Sequence, residues 1–478
     1  MSYTPPLTQI AFSVIDLRLT ERWFREGIGL LPAGGARQMM RGPLAANVQG
    51  LPGAASTCWW LVATNPRCQL ELFQFDRPLA RLMPHDFWPC DIGYTRIGLW
   101  VADFDATLRR LDALGSSPLT EPLGTRGARR ACVRSPDGVY VEIMEDDPLA
   151  GLAPSTWHCP AAIRSVTLST PDVDLSAAFF ANGIGLAESA VTLHSPAHEA
   201  LWGLAGAQTR SKTFLAGDVL LETVQYLDPI GKPWPEGYRI SDQGILNIAF
   251  GAENKRDFAT VYERCIAASA KQNCKPVHLP FLDVGVVYVN DRQRFSVELL
   301  WMTPGRASRR WGLEPLPLEQ RPAPDTHRIE QSVKLDLPIE KVWAAITDHE
   351  GMSAWSGFDP VSLSRAGAPE RNGYGAQRTM LGPFGAMVEQ VVDWNPPHRM
   401  RYRVIDGSPV ICQQGELRLM PAGAGTELTW TIRFRPKVPG TGWLLRPLFN
   451  RMLTDLVHRE LPRHLSSLSP GDAGAPER

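Results

Sequence analysis

The sequence predicts an α+β protein in three parts, and three observations predict it. One apolar strand pattern occurs four times, as LTQIAFSVIDL, YTRIGLWVADF, AIRSVTLSTPDV and, more loosely, ILNIAFGAENK. Each copy leads into a stretch with apolar residues at helical spacing and then into further strand-like segments. From residue 327 this pattern gives way to a strand, a short helix, several alternating strands and one long amphipathic stretch.

In the first repeat the strand TQIAFSV passes through Asp16 into LTERWFREGIGL, where Trp23, Phe24 and Ile28 share helical spacing and Gly27 or Gly29 can end the helix. Three strands should follow, with STCWWLVAT and CQLELFQF the clearest. The second repeat runs TRIGLWV, DFDATLRRLDALG and RACVRSPDGVYVEIME, with Ser135-Pro136-Asp137-Gly138 as a hairpin turn. The third runs IRSVTLST, DLSAAFFANGIGL and VLLETVQY; the fourth runs LNIAFGA, RDFATVYERCIAAS and VVYVNDRQRFSVELLWM. Each reads as β-α-β-β-β. The Pro-containing aromatic loops MPHDFWPCD and GKPWPEGYRISD stand before the second and fourth repeats and suit a pocket mouth.

With its strand-Asp-helix opening and its DGVYVEIME and FSVELLW endings, the stretch 5–303 resembles the vicinal oxygen chelate family, which includes glyoxalase I, extradiol dioxygenases and bleomycin-resistance proteins. The resemblance implies two paired modules, 1–150 and 161–303, each a curved sheet around a pocket. A Pro- and Gly-rich stretch, 304–326, reads as a linker.

In the third part, IEQSVKLDLPIEKVWAAITD gives a strand and a helix starting near Pro338, and NPPH, DGSP and PAGA separate the strands of an antiparallel meander. Leu444, Leu448, Met452 and Leu456 then repeat at four-residue intervals in one closing helix. IEKVWAAITD and NPPHRMRYRV make 327–468 resemble the polyketide-cyclase-like SRPBCC family, related to START domains. That resemblance implies a helix-grip fold, a curved antiparallel sheet holding a long C-terminal helix, around an apolar cavity. The last residues, 469–478, read as a disordered tail.

Composition narrows the function. The 478 residues need about three cores, and 21% charged with 44% apolar residues suits globular domains. Lys plus Arg (49) and Asp plus Glu (50) cancel, which argues against nucleic acid and membrane as partners and for a hydrophobic or aromatic small molecule. A homodimer stays open. The first residues, MSYTPPLTQ, lack a signal-peptide pattern and no apolar run approaches ~18 residues, so a cytoplasmic protein is expected. Eight scattered cysteines without a C-x-x-C pair read as free buried thiols. His194 and His198 flank Pro196 in a loop, and His458 and His464 do not share a helix face, so neither pair reads as a metal site. No phosphate-binding Gly loop, G-x-S-x-G or H-E-x-x-H occurs.

The vicinal oxygen chelate resemblance implies ligand positions at Gln9 and Glu71, Arg96 and Glu142, Ser165 and Glu222, and Asn247 and Glu298. None of the ten histidines falls there. If the first two repeats pair, Arg96 lies between Glu71 and Glu142 as a fixed cation in place of a metal. Glu71 or Glu142 would then be the base and Arg96 the group stabilising charge, with Gln9 a further catalytic candidate, and no cofactor is expected. If instead the first repeat pairs with the fourth, Gln9, Glu71, Asn247 and Glu298 form an all-oxygen set for a divalent metal. Glu222, Glu298, Asn247 and Ser165, with Trp355, Arg378 and Glu389 in the third part, are substrate-binding candidates. The leading expectation is an isomerase, cyclase or lyase acting by proton abstraction beside a carbonyl on a bulky apolar or aromatic compound. A sequestering binder is the alternative, and a metal-dependent dioxygenase or lyase a second one.

Overall fold

The computed structural model describes residues 3–36, 40–152, 155–279, 283–305, 309–317, 326–382, 385–438 and 440–468. It divides into two compact units, 1–322 and 323–478. The tail expected at 469–478 lies outside the described residues.

The recurring strand-end residue caps a helix. Asp16, Asp103, Asp172 and Asn254 each stand in extended backbone, and each side chain accepts from backbone N–H groups of the first helical turn. Such a cap is worth about 1 kcal/mol and fixes where strand becomes helix. In the first and third repeats the helix continues as a π-helical turn, Trp23–Ile28 and Phe179–Ile184, and ends on a left-handed glycine, Gly29 or Gly185. In the second repeat the expected middle strand is reduced to one bridge, Leu123 with Arg130, while the hairpin turns at Gly138 with φ of 79°.

Among the described residues, sixteen strands form the sheet of the first unit. Leu7–Ser13 of the first repeat runs antiparallel to Gly244–Ala252 of the fourth, and Gly93–Val101 of the second runs antiparallel to Ala161–Ser169 of the third. Within the sheet, the described residues join the two halves at the pair Ile245 with Tyr94. Modules at 1–150 and 161–303 are therefore not what forms: first pairs with fourth, and second with third. All four repeats present the same kind of opening strand edge, so local pattern leaves the partner undetermined.

The two aromatic loops brace these halves rather than forming an isolated lid. Ile92 N donates to Lys232 O at 2.9 Å, and Lys232 N donates to Asp91 Oδ1 at 2.7 Å. Part of the expected linker is also packed. Trp311 meets the Trp60 ring edge-on at 6.1 Å, Gln69 Nε2 donates to Trp311 O at 3.1 Å, and Leu316 N donates to Pro32 O at 2.7 Å.

Among the described residues, the second unit has a seven-stranded antiparallel sheet that orders its strands His327–Leu335, Gly425–Pro436, Val410–Ala422, Arg399–Asp406, Gly385–Asn395, Gln377–Gly382 and Val361–Arg365. Helix Ile339–Thr347 starts just after Pro338, as expected. The closing helix Gly442–Asp455 continues through Leu456–Glu460 into Leu461–Leu468, and Leu453, Val457, Leu461 and Leu465 enter the core. Its four-residue leucine row does not stay on one face. At 3.6 residues per turn, each i+4 step rotates about 40°, so the row slews by about 120° over three steps. Met452 and Leu456 line a cavity, while Leu444 and Leu448 are 54% and 42% exposed.

Candidate functional site

Register places the expected ligand positions on one face of each half. In the first–fourth half, Glu71, Ala11 and Asn247 form one row across the sheet, and Gln9, Ala249 and Glu298 the next. In the second–third half, Glu142, Gly98 and Ser165 form one row, and Arg96, Thr167 and Glu222 the next. Each half thus carries two buried glutamates at equivalent places.

Arg96 does not join Glu71. It is buried, donates to Glu222 Oε2 at 3.2 Å and to the Tyr226 hydroxyl at 2.9 Å, and its Cζ lies 4.0 Å above the Trp202 ring. The centre built of Gln9, Glu71, Arg96 and Glu142 is corrected accordingly, because sheet pairing puts Gln9 and Glu71 in one half and Arg96 and Glu142 in the other. Burial works against charge on Arg96, yet Tyr226, Glu222 and Glu199 together hold it protonated.

The group between the two glutamates of the second–third half is His194, which is not among the site residues expected from sequence. Its Nδ1 lies 2.9 Å from both Glu222 oxygens and its Nε2 lies 2.8 Å from Glu142 Oε2. Ionised carboxylates only accept, so both ring nitrogens donate and the ring is an imidazolium. Burial alone would lower its pKa, but Glu222 and Glu142 outweigh burial and push it up to about 9. The same contacts, chiefly with His194, overcome the burial of Glu142 and Glu222 and bring both down to about 2. Arg130 Nη1 adds a bond to Glu142 at 3.1 Å, and Thr167 Oγ1 one to Glu222 at 2.9 Å. Ser165 abuts Gly98 instead of bonding either acid.

His194 is held by its own loop. Pro196–Trp202 forms a 3₁₀ turn whose Trp202 packs edge-on to the His194 ring at 5.1 Å and donates to Glu199, which also accepts from the Tyr226 hydroxyl. Spacing does not reveal His194 because its partners, Glu222 at the end of its own repeat and Glu142 in the second, lie 28 and 52 residues away in sequence.

The first–fourth half has no such cation among the described residues. Glu71 accepts from Trp60 Nε1 at 2.6 Å, and its carboxyl is pushed up to about 8 by burial and then by Glu298. Burial lifts Glu298 to about 7 against the pull of Tyr288 and Asn247. Asn247 nonetheless reaches no partner at hydrogen-bond geometry: its Oδ1 and Nδ2, like Gln9 Oε1, are buried and unsatisfied. Such atoms cost about 1–3 kcal/mol each. Among the described residues no three His, Cys, Asp or Glu side chains gather as a metal cluster, and this half offers two carboxylates with two amides. That oxygen set, with its orphaned amide atoms, fits a hard or borderline divalent ion. The second–third half does not fit one, because an imidazolium already lies between its acids.

In the second unit, Trp355, Arg378 and Glu389 share the wall of a cavity of about 590 Å³. Its lining includes Phe358, Met380, Met387, Tyr402, Trp430 and Phe449. Arg378 bonds Glu389 Oε2 through Nε at 2.8 Å and Nη2 at 2.6 Å. Its Nη1 donates to His349 Nδ1 at 3.1 Å. His349 Nε2 donates to Asn372 O at 2.9 Å, which leaves Nδ1 bare. Burial, then Arg378, push that imidazole down to about 3, so it stays neutral. Burial also raises Glu389 despite its arginine partner.

Residues 326–464 match the family model described as "Polyketide cyclase / dehydrase and lipid transport". Among solved structures, glyoxalase I from Zea mays is 14% identical, with a TM-score of 0.42 over 62% of this chain and 92% of that one. A START superfamily protein from Mycobacterium smegmatis is 15% identical, with a TM-score of 0.27 over 30% of this chain and 99% of that one. No curated protein matches the sequence.

Proposed function

We propose that the protein takes up a bulky apolar or aromatic small molecule in the cavity of its second unit. The observation that carries this reading is the cavity: about 590 Å³, inside the roughly 300–1,000 Å³ range of ligand pockets, walled by aromatic and Met side chains with one neutralised ion pair. Because Glu389 and His349 already engage Arg378, an anionic ligand would have to break that pair, so a neutral ligand is favoured. Nile red titrated into the full chain should bind, and Met380→Trp, which fills the cavity, should weaken it at least about tenfold. Equal binding to the variant overturns this reading.

A second reading rests on Glu71 and Glu298. With carboxyls near 8 and 7, one acid holds a proton at neutral pH while its partner can accept one, which suits proton transfer beside a carbonyl in an isomerase, cyclase or lyase. Gln9, Glu71, Asn247 and Glu298 would also hold a divalent ion, which supplies Lewis acidity when bound. Trp60 would orient Glu71, and Trp311 over Trp60 would keep water from it.

A further inference from the structure

The start of the closing helix is apolar on both sides. Phe449, Met452, Leu453 and Leu456 on its inner side line the cavity. On its outer side Trp443 is 71% exposed, with Leu444 and Leu448 beside it, and Val438 just before the helix is 61% exposed. A helix with an apolar face on each side calls for something to cover the outer one.

The surrounding charge says what. Residues 437–454 hold three bases, Lys437, Arg446 and Arg451, and no acid; the first acid is Asp455. All three bases are exposed, and neither arginine has an acidic partner among the described residues. At 100° per residue, Trp443, Pro447, Arg451, Leu444 and Leu448 fall on one outer arc, flanked by Arg446; Asp455, at the far end of the same arc, is neutralised by Arg459 at 3.3 Å. An exposed Trp and leucines interleaved with bases is the chemistry of a helix lying in a lipid interface, its rings among the acyl chains and its guanidinium groups on anionic headgroups. The whole-chain balance of 49 bases and 50 acids hides this local excess.

We propose that the outer face of this helix docks reversibly on an anionic bilayer. It lies on the surface rather than crossing it, since no helix among the described residues is long and apolar enough to span. This proposal departs, for this face, from the sequence-based expectation of no membrane partner. The inference goes beyond the cavity reading and stands without it, but the two fit together: one helix separates the cavity from the bilayer, so an apolar ligand could enter from the lipid side.

The test is flotation of the full chain with phosphatidylcholine vesicles, with and without a third of the lipid replaced by phosphatidylglycerol. Binding should need the anionic lipid, fall as salt is raised and blue-shift the Trp emission. Trp443→Ala with Leu444→Ser should weaken it about tenfold or more, and Arg446→Glu with Arg451→Glu should remove it, all with unchanged Nile red affinity. Absence of flotation, flotation unaffected by these substitutions, or a dimer in light scattering that the same substitutions dissolve each overturns it. The dimer result would assign the face to a second copy. Loss of Nile red binding with flotation intact would sink the cavity reading alone.

Discussion

The two halves of the first unit solve one problem in opposite ways. Both set a pair of buried glutamates at equivalent strand positions, Glu71 with Glu298 and Glu142 with Glu222. In the second–third half the chain supplies its own cation: His194 bridges both acids, Arg96 and Arg130 support them, and both ionise down to about 2. In the first–fourth half Gln9 stands where Arg96 does, Asn247 where Ser165 does, and among the described residues no imidazole lies between the acids, so burial holds them up near 8 and 7. A repeated scaffold therefore fixes where charge is buried, while a few substitutions decide whether it is closed off or left reactive. The closed pair reads as structural, and the open pair as the one able to hold a proton or a metal ion.

The largest expected effect concerns metal. Titration with Mn²⁺ or Zn²⁺ should give one site per chain; Glu71→Gln or Glu298→Gln should weaken it by at least about 100-fold, and Glu222→Gln should leave it intact. An ion that tracks Glu222 would reverse the comparison. Next, His194→Ala should destabilise the fold by about 3–5 kcal/mol in denaturant melts, because it strands two buried carboxylates. A loss below about 1 kcal/mol would mean the bridge is not needed.

The pH dependence sharpens the contrast. Glu71 and Glu298 have folded values above the unfolded 4.5, so their stability is full below pH 4.5 and is lost as pH rises toward about 7 and 8. Changing both to Gln should flatten that slope, on the order of a few kcal/mol. His194 contributes below its unfolded 6.5 and loses that contribution as pH rises through about 9, whereas Glu142 and Glu222 contribute above 4.5 and lose it as pH falls toward about 2. The smallest effect is Ser165→Ala, expected within about 0.5 kcal/mol because its hydroxyl bonds neither acid.

The fold was legible because its signals are local. A strand ending in Asp caps the next helix in three repeats, with Asn254 doing so in the fourth, and NPPH, DGSP and PAGA each mark a turn of the meander. All four glutamates were found for the same reason, since each sits at a fixed place in its repeat. Partner choice was not legible, because four similar strand edges compete and the pairs that form join segments far apart in sequence, such as Leu7–Ser13 with Gly244–Ala252. His194 was hidden because a bridging imidazole has no spacing signature in its own segment. Leu444 was misread because an i+4 row rotates off its face within three turns.

Selective ¹³C labelling of the glutamate carboxyls, followed by NMR titration, tests the central claim most directly. Two carboxyls should titrate with midpoints near 7 and 8 and vanish from the spectrum in Glu71→Gln and Glu298→Gln, while those of Glu142 and Glu222 should stay ionised down to about 2. If all four titrate together near the ordinary value of 4.5, the two halves are electrostatically alike and the account is wrong.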